Sequence, residues 1–388
     1  MPENLKIKVV LIHNIVSPYR IPVFEGLSKH PLIDLTVFYC AKTHKIRQWE
    51  VSDSDKYRYR FLSGLTIEFR EIIYHINFEI IPILLKKEFD IIIIGGCSDF
   101  TTQAAFILSK AVNKPVVLWS EGIDKPQGRL GRIMSPVINY FIKHSDAIIV
   151  PGTRSENYHI TAGAAKNKIF IAPNIVDNEF FITHSARFRQ DREHIKKEMN
   201  IPGKKIIIYM GRLTKKKGVD HLIHAFHAIS SRIPEVFLII VGDGPLCTEL
   251  QDMCKDLHLY HVLFTGWIDG IEKVKYYSIA DVFTLPTLSD LCPLVINEAM
   301  CCRLPVVTTT AAGCAVNMVF DGENGFIVKP EESKGLGEAI IKIIQDPKLC
   351  DGMGERSLTI IREKFNQETC VEGFVSAIKY SINNNSRY

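Results

Sequence analysis

Short apolar runs recur along this chain, each followed by a longer mixed segment, and that alternation leaves few folds open. Residues 6–13 (KIKVVLIH), 35–39, 90–94 (DIIII), 115–119, 147–150 and 169–172 form one series of such runs. Residues 205–210, 236–241, 261–264, 282–285, 305–308 and 325–328 form a second. Strands apolar at nearly every position are buried on both faces, the condition of a parallel sheet with helices on either side. The expected class is α/β, with two Rossmann-like, doubly wound domains. At 388 residues the chain also exceeds what one hydrophobic core commonly supports. Residues 176–204 are polar and densely charged, ending at Pro202-Gly203, and the domain junction is expected near their start. The domains are therefore read as 1–182 and 183–365, with the helical tail 366–388 crossing back to pack on the first. Ligands of such sheets bind outside the carboxyl ends of the strands, which points to a site in a cleft between the domains.

Charge and cysteine usage narrow the classes. A net charge of +4 argues against a nucleic-acid binder and leaves an anionic substrate or a membrane surface open. The ten cysteines form no C-x-x-C pair, so neither a zinc site nor a disulfide framework is expected. They read as small hydrophobes in a reducing, cytoplasmic setting. The first residues show no signal-peptide architecture. Residues 72–85 are apolar but broken by His75, Asn77, Glu79 and Pro82, short of the ~20 residues a spanning helix needs. A soluble or at most peripheral protein is expected: the basic, apolar residues 129–143 read as a core-facing helix with a charged rim, with a membrane-surface helix as the alternative. His221, His224 and His227 share a helix face, but no further ligand type converges, and no metal is expected.

Four stretches could carry chemistry. Residues 284–307 set Asp290 and Glu298 on either side of a helix start, with Pro293 suited to the first helical position. The amides of Leu294 and Val295 would then face a ligand, and the helix dipole favours an anion there. An ordinary β-loop-α unit with charges on its rim is the alternative. At 211–218 (GRLTKKKG) a strand-end glycine, Gly211, lets the backbone turn. Arg212 offers a planar fork to phosphate oxygens and Lys217 a mobile point charge, unless the loop is merely solvated. Gly242-Asp243-Gly244-Pro245 and Gly266-Trp267 are further strand-end turns, each weak alone, and no G-x-G-x-x-G follows a strand to suggest a dehydrogenase.

In order, these pieces resemble the family 4, group 1 glycosyltransferases, which have a two-domain GT-B fold. The matching residues are Gly211-Arg212 with Lys217-Gly218, Gly242-Asp243-Gly244-Pro245, Phe264-Thr265-Gly266, the acid pair Asp290/Glu298 and Asp321-Gly322-Glu323-Asn324-Gly325-Phe326. In the first domain the likeness rests on Ser17-Pro18-Tyr19-Arg20 and on Pro173-Asn174 with Asp177. The resemblance implies a retaining, metal-independent transfer from a UDP-sugar, or a GDP-sugar, to a hydroxyl of a glycan or lipid-linked glycan, in cell-surface polysaccharide or glycolipid synthesis. It implies no cofactor, and a cytoplasmic enzyme that can work at the inner face of the membrane. It gives Arg212 and Lys217 the diphosphate, Glu298 the ribose, Asp290 the donor sugar, the Leu294 and Val295 amides the diphosphate, and Gly266-Trp267 the border of the base. Ser17, Tyr19, Arg20 and Glu121 become acceptor-side candidates. The chain departs from the family pattern at Asp290, where Glu is usual, at Leu291-Cys292-Pro293 in place of Gly-Phe-Gly, and at Arg303, where the helix normally ends in Gly. A left-handed backbone at Arg303 would cost roughly 1–2 kcal/mol. A nucleotide-sugar epimerase and a non-catalytic nucleotide-sugar-binding protein are the rival readings.

Overall fold

The computed structural model describes residues 6–44, 55–69, 72–125, 128–201 and 205–385. The Pro202-Gly203 pair and the last residues of the tail lie outside them. The chain divides into two compact units, Met1–Ile175 with Gln367–Tyr388, and Val176–Asn366.

The first unit contains β1 (Ile7–His13), α1 (Ile21–Lys29), β2 (Ile33–Tyr39), β3 (Arg58–Phe61), β4 (Leu65–Phe69), β5 (Ile72–Ile76), α2 (Ile80–Leu85), β6 (Ile91–Gly95), α3 (Phe100–Ala111), β7 (Val116–Trp119), α4 (Gly128–His144), β8 (Ala147–Val150), α5 (Thr153–Thr161) and β9 (Ile169–Ile171). Seven of the strands form one sheet in the order β3-β2-β1-β6-β7-β8-β9, parallel at every pairing. Along β1, Val9 and Leu11 enter one core while Val10 and Ile12 enter the other, so none of these four positions can be polar. Ile91 to Ile94 of β6 are all fully buried, each contributing roughly 2–3 kcal/mol of apolar burial.

The second unit runs through α6 (Asn178–Gln190), α7 (Arg192–Glu198), β10 (Lys205–Met210), α8 (Val219–Arg232), β11 (Val236–Val241), α9 (Cys247–Asp256), β12 (Val262–Gly266), α10 (Gly270–Ile279), β13 (Val282–Leu285), α11 (Leu294–Cys301), β14 (Val306–Thr309), β15 (Gly325–Val328), α12 (Ser333–Gln345) and α13 (Pro347–Lys364). Its sheet is also parallel, in the order β12-β11-β10-β13-β14-β15. The strand order reverses between β10 and β13, which makes their carboxyl ends the topological switch point.

The α/β class and the paired parallel sheets agree with the sequence reading. Two features go beyond it. The apolar stretch beginning at residue 72 is partly strand: β5 pairs antiparallel with β4 in a separate two-stranded sheet. The charged interval after the junction is helical, and its arginines have partners. Arg189 donates to the Cys302 carbonyl at 2.7 and 3.1 Å, and Arg192 to the Ile279 carbonyl at the same two distances. These guanidiniums sit at the ends of α11 and α10, where cations satisfy the last carbonyls. In α4, Phe141 and Ile142 are buried while Ile133, Val137 and Tyr140 are exposed, so only part of its apolar surface meets the core. Among the described residues no helix is long and apolar enough to cross a membrane.

The final helix, α14 (Gln367–Asn385), returns to the first unit and fills its core with Phe374, Val375 and Ile378. Close approach at two glycines seats it. A Cβ at Gly373 would lie 2.4 Å from the Ile171 carbonyl oxygen, and one at Gly26 of α1 would lie 2.6 Å from Val371 Cγ2. Gly373→Ala is therefore expected to destabilise the first unit by about 1–3 kcal/mol. Hydrogen exchange of β8 and β9 amides should rise while β10 and β11 amides stay unchanged. Unaltered β9 protection would refute this account of the seat.

Candidate functional site

At the carboxyl edge of the second sheet, three adjacent strands end in, or directly before, a glycine. Gly211 donates its N–H to the Val241 carbonyl at 3.0 Å, and Gly242 donates to the Gly266 carbonyl at 2.9 Å. Gly242 has φ 138°, and a Cβ there would fall 2.0 Å from the Gly211 oxygen. Only glycine lets the two turns lie this close. The result is a row of bare backbone across β10, β11 and β12, bordered by Trp267, which is 49% exposed.

The loop after β10 is fixed by the loop after β13. A single 3-10 turn over Lys215–Lys217 ends at Gly218, whose left-handed φ of 63° brings it against the Pro286 carbonyl. The Lys216 carbonyl then accepts from Thr287 Oγ1 at 2.9 Å, from the Leu288 N–H at 2.8 Å and from the Ser289 N–H at 3.2 Å. With the two loops joined across the switch point, Lys217 Nζ reaches the Asp290 carboxylate in a mostly buried ion pair. Arg212 is exposed, and no hydrogen bond or ion pair of its guanidinium is found among the described residues. Its carbonyl accepts from the Tyr209 hydroxyl at 3.2 Å. Burial first, and then the Asp290 charge, push the Tyr209 phenol above its ordinary value, so it remains a donor.

The helix behind Asp290 begins one position later than expected. Pro293 has ψ 99° and stands outside α11 as its N-cap, while its carbonyl accepts the Ile296 N–H at 3.0 Å. Leu294 and Val295 are thus the first two helical residues, whose amides have no intrahelical acceptor. Glu298, one turn on, is 8% exposed. Lys273 Nζ lies 2.6 Å from its Oε1 and the Tyr277 hydroxyl donates to Oε2 at 2.8 Å. Neither partner is apparent from the sequence motif, because both come from α10. Arg303 closes the helix with φ 57°, the left-handed conformation that the missing glycine would have adopted without a side-chain penalty.

The structure also corrects the cysteine reading. Cys292 and Cys314 form a disulfide with Cα atoms 4.9 Å apart. The pair has no local spacing signature because it joins two loops, and these are brought together by backbone bonds. Asp290 N–H donates to the Ala311 carbonyl at 3.2 Å, and Gly313 N–H to the Asp290 carbonyl at 2.8 Å. Closing a loop across a separation of 22 residues stabilises by about 3 kcal/mol on chain-entropy grounds. The other eight cysteines are free, most of them buried, as small hydrophobes.

In the first unit, Arg20 and Glu121 come together with a third residue, Asn174. Arg20 pairs with Glu121 and donates through Nη1 to Asn174 Oδ1 at 2.8 Å, while Asn174 Nδ2 donates to Glu121 Oε1 at 2.7 Å. The guanidinium lies over the Trp119 ring at 4.3 Å and the Tyr19 ring at 5.3 Å. Desolvation pushes the Glu121 carboxyl up, but the Arg20 charge and the hydrogen bonds from Arg20 and Asn174 outweigh it and leave it below its ordinary value. His13, at the end of β1, is held down to about 4 by desolvation and then by Arg20. Its Nδ1 lies 3.0 Å from the Ile15 carbonyl. Ser17 is 2% exposed, enclosed in the turn before Arg20. Among the described residues no group of three or more His, Cys, Asp or Glu side chains could hold a metal ion, and His224 and His227 are exposed on α8.

Residues 191–358, inside the second unit, match the family model "Glycosyl transferases group 1". Among curated proteins, the N-acetyl-alpha-D-glucosaminyl L-malate synthase of Bacillus anthracis is 30% identical over 205 residues, 52% of each chain. The GDP-mannose-dependent alpha-(1-6)-phosphatidylinositol monomannoside mannosyltransferase of Mycolicibacterium smegmatis is 31% identical over 179 residues, 43% of this chain and 47% of that one. The capsular polysaccharide biosynthesis glycosyltransferase CapM of Staphylococcus aureus is 32% identical over 165 residues, 42% of this chain and 43% of that one. The chain thus spans about half the length of the first of these relatives and rather less of the other two. Among solved structures, Anabaena HepE, in complex with UDP and glucose, shares the fold with a TM-score of 0.72 at 18% identity, over 96% of this chain and 99% of that one. The sucrose-phosphate synthase of Thermosynechococcus elongatus does so with a TM-score of 0.73 at 18% identity, over 96% and 98%. The chain thus has the two-domain GT-B fold of these solved glycosyltransferases, and its second unit matches the group 1 glycosyltransferase model.

Proposed function

We propose that this chain is a retaining glycosyltransferase that moves a sugar from a UDP-sugar, with a GDP-sugar as the alternative donor, to a hydroxyl of a glycan or lipid-linked glycan. The observation that carries the reading is the meeting of Lys217 and Asp290 at the switch point of the second sheet, beside the start of α11. The names of the relatives add support. One uses GDP-mannose and acts on a phosphatidylinositol monomannoside, another serves capsular polysaccharide synthesis, and HepE was solved with UDP. A lipid-linked acceptor would be met at the cytoplasmic face of a membrane.

In this reading Arg212, Lys217 and the Leu294 and Val295 amides take the donor diphosphate. Negative charge builds on that group as the anomeric carbon–oxygen bond breaks, and fixed cations and amides stabilise it. Glu298, held by Lys273 and Tyr277, keeps lone pairs for the ribose hydroxyls. Asp290 takes a sugar hydroxyl, using the carboxylate that Lys217 neutralises in the absence of donor. The acceptor oxygen attacks the face that the diphosphate leaves, and the leaving phosphate accepts the acceptor's proton. No metal enters the scheme. Arg20 and Glu121, together with Tyr19, are assigned to the acceptor side.

A panel of UDP- and GDP-sugars tests the reading. Arg212→Ala and Lys217→Ala should each lower kcat by about 10²–10³. Full turnover in both would show that the diphosphate site is elsewhere. Glu298→Gln should weaken binding of the free nucleotide by about tenfold, the worth of one charge-assisted hydrogen bond. An epimerised nucleotide-sugar formed without acceptor would favour the isomerase instead.

The acceptor-side cluster sets an acid limit on stability. The folded His13 titrates at about 4 against an ordinary 6.5, so between those values the unfolded chain binds a proton that the folded one does not. Stability of the first unit should therefore fall by about 3 kcal/mol as pH drops through that window. The Glu121 contribution has the same direction and is lost below the ordinary carboxylate range. Native-state hydrogen exchange of β1 amides at pH 7 and pH 4.5 reads the slope. His13→Asn, which keeps a donor for the Ile15 carbonyl, should flatten it, and a slope equal to wild type would rule His13 out as its source.

A further inference from the structure

We infer that the Cys292–Cys314 disulfide is the positioning element of the sugar side of the proposed donor site, and that an external dithiol can release it. This rests on the donor-site reading above. Cys292 stands two residues after Asp290 and directly before Pro293, the N-cap of α11. The segment between has little else to fix it: Leu291 is 51% exposed and contributes nothing to a core. On the other side, Cys314 is 5% exposed and opens the short turn Ala315–Asn317, with Ala315 fully buried. The bond therefore fastens the exposed step at Leu291, between Asp290 and the start of α11, to an anchored turn. Two backbone bonds of Asp290, to Ala311 and from Gly313, and a bond from Thr309 Oγ1 to the Thr287 carbonyl run parallel to it. Together they set where the Asp290 carboxylate lies relative to Lys217, and where the α11 amides begin.

The accessibility of the two sulfurs differs, and this orders the chemistry. Cys292 is half-buried and Cys314 is buried, so Cys292 Sγ is the atom a thiolate can reach. Attack there breaks the sulfur–sulfur bond, and Cys314 leaves as a thiolate and takes a proton. The reagent's second thiol then displaces Cys292 as a thiol, and the reagent departs as its own disulfide. Two electrons and two protons pass from the dithiol to the protein. The remaining eight cysteines are already thiols, so a dithiol acts on this bond alone.

The test compares oxidised protein, protein treated with dithiothreitol, and Cys292→Ser/Cys314→Ser. Binding is measured to the tighter of UDP-glucose and GDP-mannose, and to the matching free diphosphate. Reduction and the double variant should both weaken the nucleotide-sugar about tenfold, while the free diphosphate changes less than twofold, because the staple serves the sugar side. Asp290→Asn should already be weak and should no longer respond to dithiothreitol. Hydrogen exchange over residues 288–295 should rise on reduction in every case. Equal donor affinity in the oxidised and reduced forms overturns the inference, as does a count of ten free thiols in protein exposed to oxidised glutathione. If neither nucleotide-sugar binds in any form, the donor-site reading fails, while the exchange comparison still decides whether the disulfide orders this loop.

Discussion

A parallel sheet is stable in water only when both of its faces are covered, and both large sheets of this protein are parallel at every pairing. Much follows from that one requirement. Helices must lie on either side, so each strand is reached by a crossover, and the carboxyl ends of the strands are left as loop territory. Core residues occupy Ile91 to Ile94 of β6 and every position of β11, which keeps chemistry out of the strands themselves. It is confined to the turns that leave them. In the second unit those turns are Gly211, Gly242 and Gly266, the lysine turn before α8, and the segment from Asp290 to α11.

The loops at that edge are not independent of each other. The Lys216 carbonyl gathers three donors from the loop after β13, and the Asp290 backbone gathers two bonds from the loop after β14. Lys217 and Asp290 then meet as a result of backbone geometry that is already set. Their attraction is local, partly buried, and stronger than it would be in water. Arg189 contributes from the far end by holding the last carbonyls of α11, so the helix that carries Glu298 is fixed at both termini. A site assembled this way has its charges oriented before any ligand arrives.

Most of this architecture was legible in the sequence because burial on two faces leaves a continuous signal. β6 and β11 have no polar residue to interrupt them, and their positions could be read directly. The β4–β5 hairpin was not legible for the converse reason: it belongs to neither large sheet, and Leu65 and Ile67 are exposed, so its pattern resembles a broken apolar run. β3, at the sheet edge, alternates exposed and partly buried residues over Arg58–Phe61. At the site, Lys217, Asp290 and Glu298 could be named from local motifs, whereas their neighbours could not. Lys273 and Tyr277 reach Glu298 from another helix, Asn174, itself part of a motif, meets Arg20 from 154 positions away, and Cys292 pairs with Cys314 across β14. Motifs record which residues a turn must contain; they do not record which turns become neighbours.

The return of α14 to the first unit has a consequence for how the chain is made. Because synthesis runs from the N-terminus, the strands of the first sheet emerge early, but the face covered by Phe374, Val375 and Ile378 has no cover until the last helix is released. All of the second unit is made in the meantime, and its own core can close without waiting. The unit begun first is thus the one completed last. During that interval its uncovered apolar face is the surface most open to mispairing with other nascent chains.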